Sequence, residues 1–151
     1  MLTVKKYLQE AFKAVTALGT AYFYGLLVIF LLLLDKKQIA LHLIAGLVAC
    51  YLFVFMIRVF YFKERPKKEN HFNLFIKINA ASFPSLHSLS SVYVATVISK
   101  FIANIKITIF FYSVALLIAY SRIYLKKHYF FDVLSGLILG VTASLIYLYT
   151  L

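Results

Sequence analysis

The stretch IALHLIAGLVACYLFVFMIRVFYF, residues 39–62, decides the fold. It is interrupted only by His42 near its start and Arg58 in its last turn. It exceeds the roughly 20 apolar residues a helix needs to cross the hydrocarbon core of a bilayer. The rest of the chain agrees with it: 64% of residues are hydrophobic, 14% are charged and the mean hydropathy is +0.91. A soluble domain holds about half apolar and a quarter charged residues, so the excess points to lipid as the solvent.

Working outward, four further apolar runs appear. One covers residues 14–34 and ends at Asp35-Lys36-Lys37-Gln38, and the others cover about 84–102, 105–124 and 129–151. The prediction is an all-α polytopic membrane bundle of about five transmembrane helices, a single domain over residues 1–151. Short turns between the first two spans, and between the third and fourth, predict antiparallel hairpins. A polar, basic connection runs from Lys63 to Phe83. The first 13 residues, MLTVKKYLQEAFK, are too short and too charged to cross, and suit a short amphipathic helix in the interface. The long apolar run after them lacks a small-residue cleavage site before Asp35, which argues against a cleaved signal peptide.

Cys50 is the single cysteine, which excludes an intrachain disulfide and a thiolate metal site. Trp is absent, leaving the 12 tyrosines to take the interfacial aromatic role. The net charge of +11 would suggest nucleic acid in a soluble protein. Here the basic residues are confined between apolar spans, so anionic lipid surfaces or phosphorylated substrates fit and nucleic acid does not.

Five spans also decide which loops share a side. Arg58, Lys63, Arg65, Ser85, His87, Ser121, Arg122, Lys126, Lys127, His128 and Asp132 fall on one face, against Lys36, Lys37, Lys100 and Lys106 on the other. Lys67, Lys68, Lys126 and Lys127 fit ordinary loop charge. Arg58, Arg122, His128 and Asp132 lie at or inside span ends, where ionisable groups are costly and mark function.

The spacing carries chemistry. His128 and Asp132 are four apart, one helical turn, so a carboxylate can orient the ring and make its other nitrogen a better nucleophile. Taken alone, such a pair also suits a satisfied polar contact in a bundle. Pro84-Ser85-Leu86-His87 opens the third span, where unpaired N–H groups make an anion site and Ser85 can add a donor. Arg58, Arg65 and Arg122 supply planar donors matched to phosphoryl oxygens. Together these are the parts of a phosphoryl-transfer site built without metal ligands.

The sequence resembles the type-2 phosphatidic acid phosphatase superfamily, which shares its active site with the vanadium haloperoxidases. That family carries a basic residue, six residues, then Arg-Pro, here Arg58 to Arg65-Pro66. Its Pro-Ser-Gly-His motif stands here as Pro84-Ser85-Leu86-His87, and Ser121-Arg122, His128 and Asp132 match its third motif. Two positions depart from the pattern: Arg58 replaces the usual Lys, and Leu86 replaces Gly. The resemblance spans roughly Arg58 to Gly140 and implies a mechanism. Arg58, Arg65, Arg122, Ser85 and the backbone amides of Leu86 and His87 would hold the phosphate. His128 would attack phosphorus to form a phosphohistidine, with Asp132 orienting its ring. His87 would protonate the leaving group and then activate water. The resemblance implies no metal and no cofactor.

A site at a span end, with no soluble domain to select a water-soluble ester, points to a lipid phosphate substrate in the bilayer. Polyprenyl pyrophosphate or monophosphate is the first choice, then phosphatidic acid or phosphatidylglycerophosphate. Lys63, Lys126 and Lys127 are candidate head-group contacts. The Pro-Ser-Leu-His variant keeps open an alternative, a lipid phosphotransferase acting on an acceptor alcohol. A haloperoxidase does not suit so apolar a chain, and a channel or assembly subunit leaves the histidines unexplained. Positive charge counted by loop favours a cytoplasmic site, with 12 of the 16 Lys and Arg on the active side. The resemblance favours the extracytoplasmic face of the cell membrane, which is the expectation adopted. His42 is expected to pack, His71 to be solvated, and Gly136, Gly140 and Ser144 to form a close-packing stripe on the fifth span. Nothing in the sequence signals an oligomeric state.

Overall fold

The computed structural model describes residues 2–67 and 73–149, so His71 and Lys68 lie outside the described residues. Among the described residues seven helices follow in order: α1 Leu2–Ala17, α2 Ala21–Leu33, α3 Lys37–Phe60, α4 Leu74–Ala80, α5 Leu86–Ile102, α6 Ile105–Tyr124 and α7 Phe130–Tyr149. Among the described residues there is no strand, and the all-α expectation holds.

Local chemistry sets the boundaries. Thr20, Asn73 and Asn104 cap α2, α4 and α6, each side chain accepting a first-turn N–H. Ala103 takes a left-handed conformation (φ 50°) to end α5, which allows α6 to turn back after Asn104.

The predicted spans map onto α2, α3, α5, α6 and α7, but not uniformly. Among the described residues, only α3, α6 and α7 are individually long and apolar enough to cross a membrane; α5 is a shorter apolar helix of 17 residues. The first expected span requires correction. It starts at Ala21 rather than residue 14, because the amphipathic N-terminal helix runs on to Ala17 and a break at Leu18-Gly19-Thr20 bends the pair by 51°. Taken together, α1 and α2 have the length and apolarity of one broken span. α1 packs against α6, with Phe12 against the rings of Tyr120 and Tyr124. The polar, basic connection over residues 63–83 contains α4.

The burial pattern is that of a protein solvated by lipid. Leu33, Phe60 and Phe131 are 70% or more exposed, whereas Ser85, Ser88, Ser90, Ser121, Asp132 and Ser144 are fully buried. Every polar group in hydrocarbon must find an internal partner. Several on α5 do so on their own helix, Ser90 donating to Leu86 O, Ser91 to Ser88 O and Thr96 to Val92 O, whereas the buried Ser99 Oγ has no hydrogen-bond partner among the described residues.

α5 is the central helix, packed by α3, α6 and α7. Lipid tails are as apolar as leucine, so helix association in a bilayer rests on close packing, not hydrophobic expulsion. Glycine supplies the approach here. A Cβ at Gly136 would lie 2.5 Å from Ser85 O, and one at Gly140 would lie 2.3 Å from Val92 Cγ1 and 2.5 Å from Leu89 O. The small-residue stripe is thus the α5–α7 seam, as expected. At Gly46 a Cβ would occupy the place of the Tyr93 hydroxyl, which donates to His42 O at 2.9 Å. His42 stacks on Phe101 and meets Tyr147 OH, the packing role assigned to it.

These contacts predict that Gly136→Val destabilises the bundle by about 1–3 kcal/mol through overpacking against rigid backbone. Gly25, whose Cβ would meet nothing within 4 Å, tolerates Ala without loss. Thermal unfolding in detergent checks the pair, and equal midpoints for both variants would refute the seam.

Candidate active site

The ionisable residues gather where the N-termini of α5 and α7 meet the C-termini of α3 and α6. α5 and α7 start side by side because Ser85 N donates to Asp132 O at 2.9 Å. Their first-turn N–H groups and helix dipoles therefore bring positive potential to one place.

Asp132 is the hub of this end. Its carboxylate, fully buried, accepts from Lys63 Nζ at 2.6 Å, Ser82 Oγ at 2.5 Å and Tyr129 N at 2.9 Å. The last bond is half of a capping box, a third-residue carboxylate reaching back to the N–H just before its helix. Lys63 also lies over the Tyr129 ring and accepts Ser82 N at its carbonyl, 2.7 Å away. One carboxylate thereby holds the Lys63 segment, the Ser82 segment and the start of α7 together.

The expected pairing of Asp132 with the His128 ring is corrected here. His128 Nδ1 lies 2.6 Å from Ser82 O, while the carboxylate is taken by Lys63, Ser82 and Tyr129. The i, i+4 argument assumed one continuous helix, but α7 starts at Phe130 and leaves His128 in the preceding turn. A carbonyl only accepts, so Nδ1 carries the proton and Nε2 keeps its lone pair. Asp132 orients the imidazole at one remove, by holding Ser82.

His128 is 2% exposed. Burial, and after it the guanidiniums of Arg122 and Arg65, lower its pKa from the ordinary 6.5 to about 2, against the opposing pull of the Ser82 hydrogen bond. The free ring is neutral at any physiological pH, the state a nucleophile needs. His87, on the first turn of α5, lies in the field of the same three arginines, Arg122, Arg65 and Arg58.

The arginines are held by different elements. Arg58, in the last turn of α3, is 6% exposed and donates to Pro84 O at 3.0 Å and Asn79 O at 3.4 Å. Its Nε is buried and has no hydrogen-bond partner among the described residues. Arg65 donates to the same Asn79 O at 2.9 Å. Arg122, buried in the last turn of α6, donates to Thr16 Oγ1 at 2.8 Å. Ser85 precedes α5, fully buried, with Ser88 Oγ donating to its hydroxyl at 2.9 Å. Leu86 opens the helix with an ordinary negative φ, so replacing glycine leaves its N–H at the helix start.

The three expected head-group lysines fare differently. Lys63 is bound to Asp132 and belongs to the scaffold, which corrects its assignment. Lys126 has a left-handed backbone (φ 54°) and an exposed side chain, and the Lys127 N–H donates to Arg122 O at 3.0 Å.

Four contributors escaped the sequence reading: Ser82, Asn79, Thr16 and Gly19. Gly19, at the α1–α2 break, is buried where a Cβ would lie 3.0 Å from His87 Cδ2 and 2.8 Å from Ile118 Cγ2. No motif flags them, because two act through backbone carbonyls and two lie far away in sequence. Among the described residues no three His, Cys, Asp or Glu side chains converge as metal ligands would.

A model of the PAP2 superfamily matches residues 39–151. The chain belongs to that superfamily. Among solved structures, the crystal structure of LpxE from Aquifex aeolicus superposes with a TM-score of 0.80 at 28% identity, covering 95% of this chain and 86% of that one. A transmembrane PAP2-type phosphatidylglycerolphosphate phosphatase from Bacillus subtilis superposes with a TM-score of 0.79 at 21% identity, covering 95% of this chain and 76% of that one. The second likeness is one of fold. No curated protein matches. The chain is thus an integral membrane protein of a lipid phosphatase family.

Two outcomes follow. Ser82→Ala removes a charge-assisted bond to Asp132 and lowers kcat roughly 10–100-fold with little change in KM; steady-state kinetics read it, and an unchanged kcat would leave Asp132 without a route to the ring. In the free protein, NMR of ring-labelled His128 shows no protonation down to pH 5, because the folded pKa lies below the ordinary one. A midpoint near pH 6.5 would contradict the buried, arginine-flanked ring.

Proposed function

We propose that this chain hydrolyses the phosphate ester or pyrophosphate of a membrane lipid through a phosphohistidine on His128. One observation carries the reading: the Nδ1 proton of His128 is committed to Ser82 O, so the nucleophilic nitrogen is Nε2, in a neutral ring beside three arginines.

In the proposed cycle, Arg58, Arg65, Arg122, Ser85 and the first N–H groups of α5 hold the phosphoryl oxygens. The Nε2 lone pair forms the bond to phosphorus as the bond to the leaving oxygen breaks. Charge on the ring develops as it does so, and the Ser82 carbonyl stabilises the Nδ1 proton. His87, which takes up a proton together with the phosphate anion, gives that proton to the leaving oxygen. It then takes one from water, which attacks phosphorus, breaks the P–N bond and restores His128. Residues rather than a metal ion supply the electrostatic stabilisation in this scheme.

A lipid substrate is supported by a cavity of about 220 Å³ that runs from Tyr51 and Phe55 of α3 to Arg58, Asn79 and Leu86. It joins an apolar wall to a phosphate-binding guanidinium, the two chemistries of a lipid phosphate. Small head groups suit it, with polyprenyl pyrophosphate or monophosphate first, and phosphatidic acid or phosphatidylglycerophosphate after. We place the site on the extracytoplasmic face; Lys67→Cys is then labelled by an impermeant thiol reagent in intact cells, and labelling only after permeabilisation refutes that side.

Purified protein releases phosphate from one or more lipids of a panel, with chelator present, and His128→Ala loses at least 10³-fold. Equal rates for variant and wild type would end the proposal. Loss of activity on chelation would end its metal-free form. Product analysis with an added acceptor alcohol separates hydrolysis from phosphoryl transfer.

A further inference from the structure

A second basic site adjoins the first. A cavity of about 420 Å³ is lined by Lys5 and Gln9 of α1, Lys67 after the Arg65-Pro66 turn, and Tyr124, Leu125 and Lys126 at the end of α6. Sites for small ligands run from about 300 to 1,000 Å³, so the volume suffices for a polar head group. Among the described residues that line it, none is acidic. The ion pairs Lys13–Glu10, Lys37–Asp35 and Lys63–Asp132 involve none of its three lysines, Lys5, Lys67 and Lys126.

The cavity is tied to the catalytic groups by the chain itself. Lys67 follows Arg65 by two residues, Tyr124 follows Arg122 by two, and Lys126 precedes His128 by two. Two residues span at most about 7 Å, so each wall begins within one side-chain length of the phosphate site. The walls are also fixed to one another. Lys67 N donates to Lys126 O at 3.2 Å, and the left-handed turn at Lys126 is held by its N–H to Ile123 O at 2.9 Å. On the far side, Lys5 and Gln9 stand one helical turn apart on α1, and Phe12 anchors that helix on Tyr124 with ring centroids 4.4 Å apart.

We propose that this cavity is a second anion subsite, binding a phosphate other than the one cleaved. The proposal rests on the lipid phosphatase reading and narrows its substrate class. The preferred lipid presents a second phosphate, in its own head group or on a neighbouring lipid, about one side chain from the scissile one. Three flexible ammonium donors and an amide suit such an anion, whereas the planar arginines suit the phosphate that reacts. Attraction of this kind also fades as salt is raised.

The test measures binding apart from turnover. Full-length His128→Ala protein in neutral detergent is titrated calorimetrically with short-chain phosphatidic acid and short-chain phosphatidylglycerophosphate. The two-phosphate compound binds roughly tenfold more tightly or better, as charge-assisted contacts are the stronger kind. Adding Lys5→Gln and Lys67→Gln to make a triple variant brings the ratio close to one and leaves phosphatidic acid binding within about twofold, since exposed substitutions seldom disturb the fold. Lys67→Gln alone gives an intermediate ratio.

In nanodiscs, tighter phosphatidic acid binding in phosphatidylglycerol than in phosphatidylcholine assigns the second anion to a neighbouring lipid, and the triple variant removes that difference. A preference confined to the two-phosphate compound assigns it to the substrate. The proposal is overturned if neither preference exists, if either survives the triple variant, or if the triple variant weakens both compounds equally. A wild-type protein that binds these lipids yet releases no phosphate would overturn the phosphatase reading and leave the subsite standing.

Discussion

The carboxylate of Asp132 is the constraint on which this end of the bundle depends. It is fully buried and shares its oxygens among an ammonium, a hydroxyl and a backbone N–H. Around it stand Arg58, Arg65 and Arg122, which repel one another in a medium that screens poorly. Asp132 opposes that repulsion only in part, because Lys63 already pairs with it at 2.6 Å. The site as folded thus carries surplus positive charge at a place where charge is costly. A phosphate dianion would relieve that surplus, which is what the proposed function asks of these residues.

Packing translates this electrostatic arrangement into distances. Ser85 and His87 stand at the start of α5, and Asp132 in the first turn of α7, with His128 just before it. The two helices must touch for these groups to cooperate, and Gly136 allows the contact by leaving room for Ser85 O. The same oxygen accepts Leu89 N, while Ser85 N reaches back to Asp132 O. Steric fit between helices and alignment of the candidate site groups are therefore set by the same few atoms. A change in the seam propagates to the imidazole through Asp132 and Ser82 without touching either.

Much of this was legible before any coordinates. The 39–62 run, the clustering of ionisable residues at span ends and the spacing of the Arg-Pro, Pro-Ser and Ser-Arg segments are local patterns, and local patterns survive in a sequence. What stayed hidden depends on where a helix starts or on which distant atoms meet. His128 and Asp132 read as one helical turn, but the α7 boundary at Phe130 separates them. Lys63 read as a head-group contact, but a buried carboxylate 69 residues away claims its ammonium. Ser82 read as one serine among several. Its role is carried by its carbonyl as much as its hydroxyl, and every residue has a carbonyl.

The N-terminal elbow extends that argument to the whole site. Residues 39–151 match the superfamily, and the elbow lies before them. Yet Thr16 accepts from the guanidinium of Arg122, and Gly19 sits where any side chain would press on His87. The motif residues alone therefore do not close the site. Thr16 meets Arg122 with a neutral hydroxyl, 2.8 Å away. A threonine hydroxyl orients the guanidinium and leaves its charge intact. The break after Ala17 is what lets one chain present that hydroxyl on one side and a bare glycine backbone on the other. Had the first span been the continuous helix that its composition suggests, neither group would meet the arginine- and histidine-bearing end of the bundle at this angle.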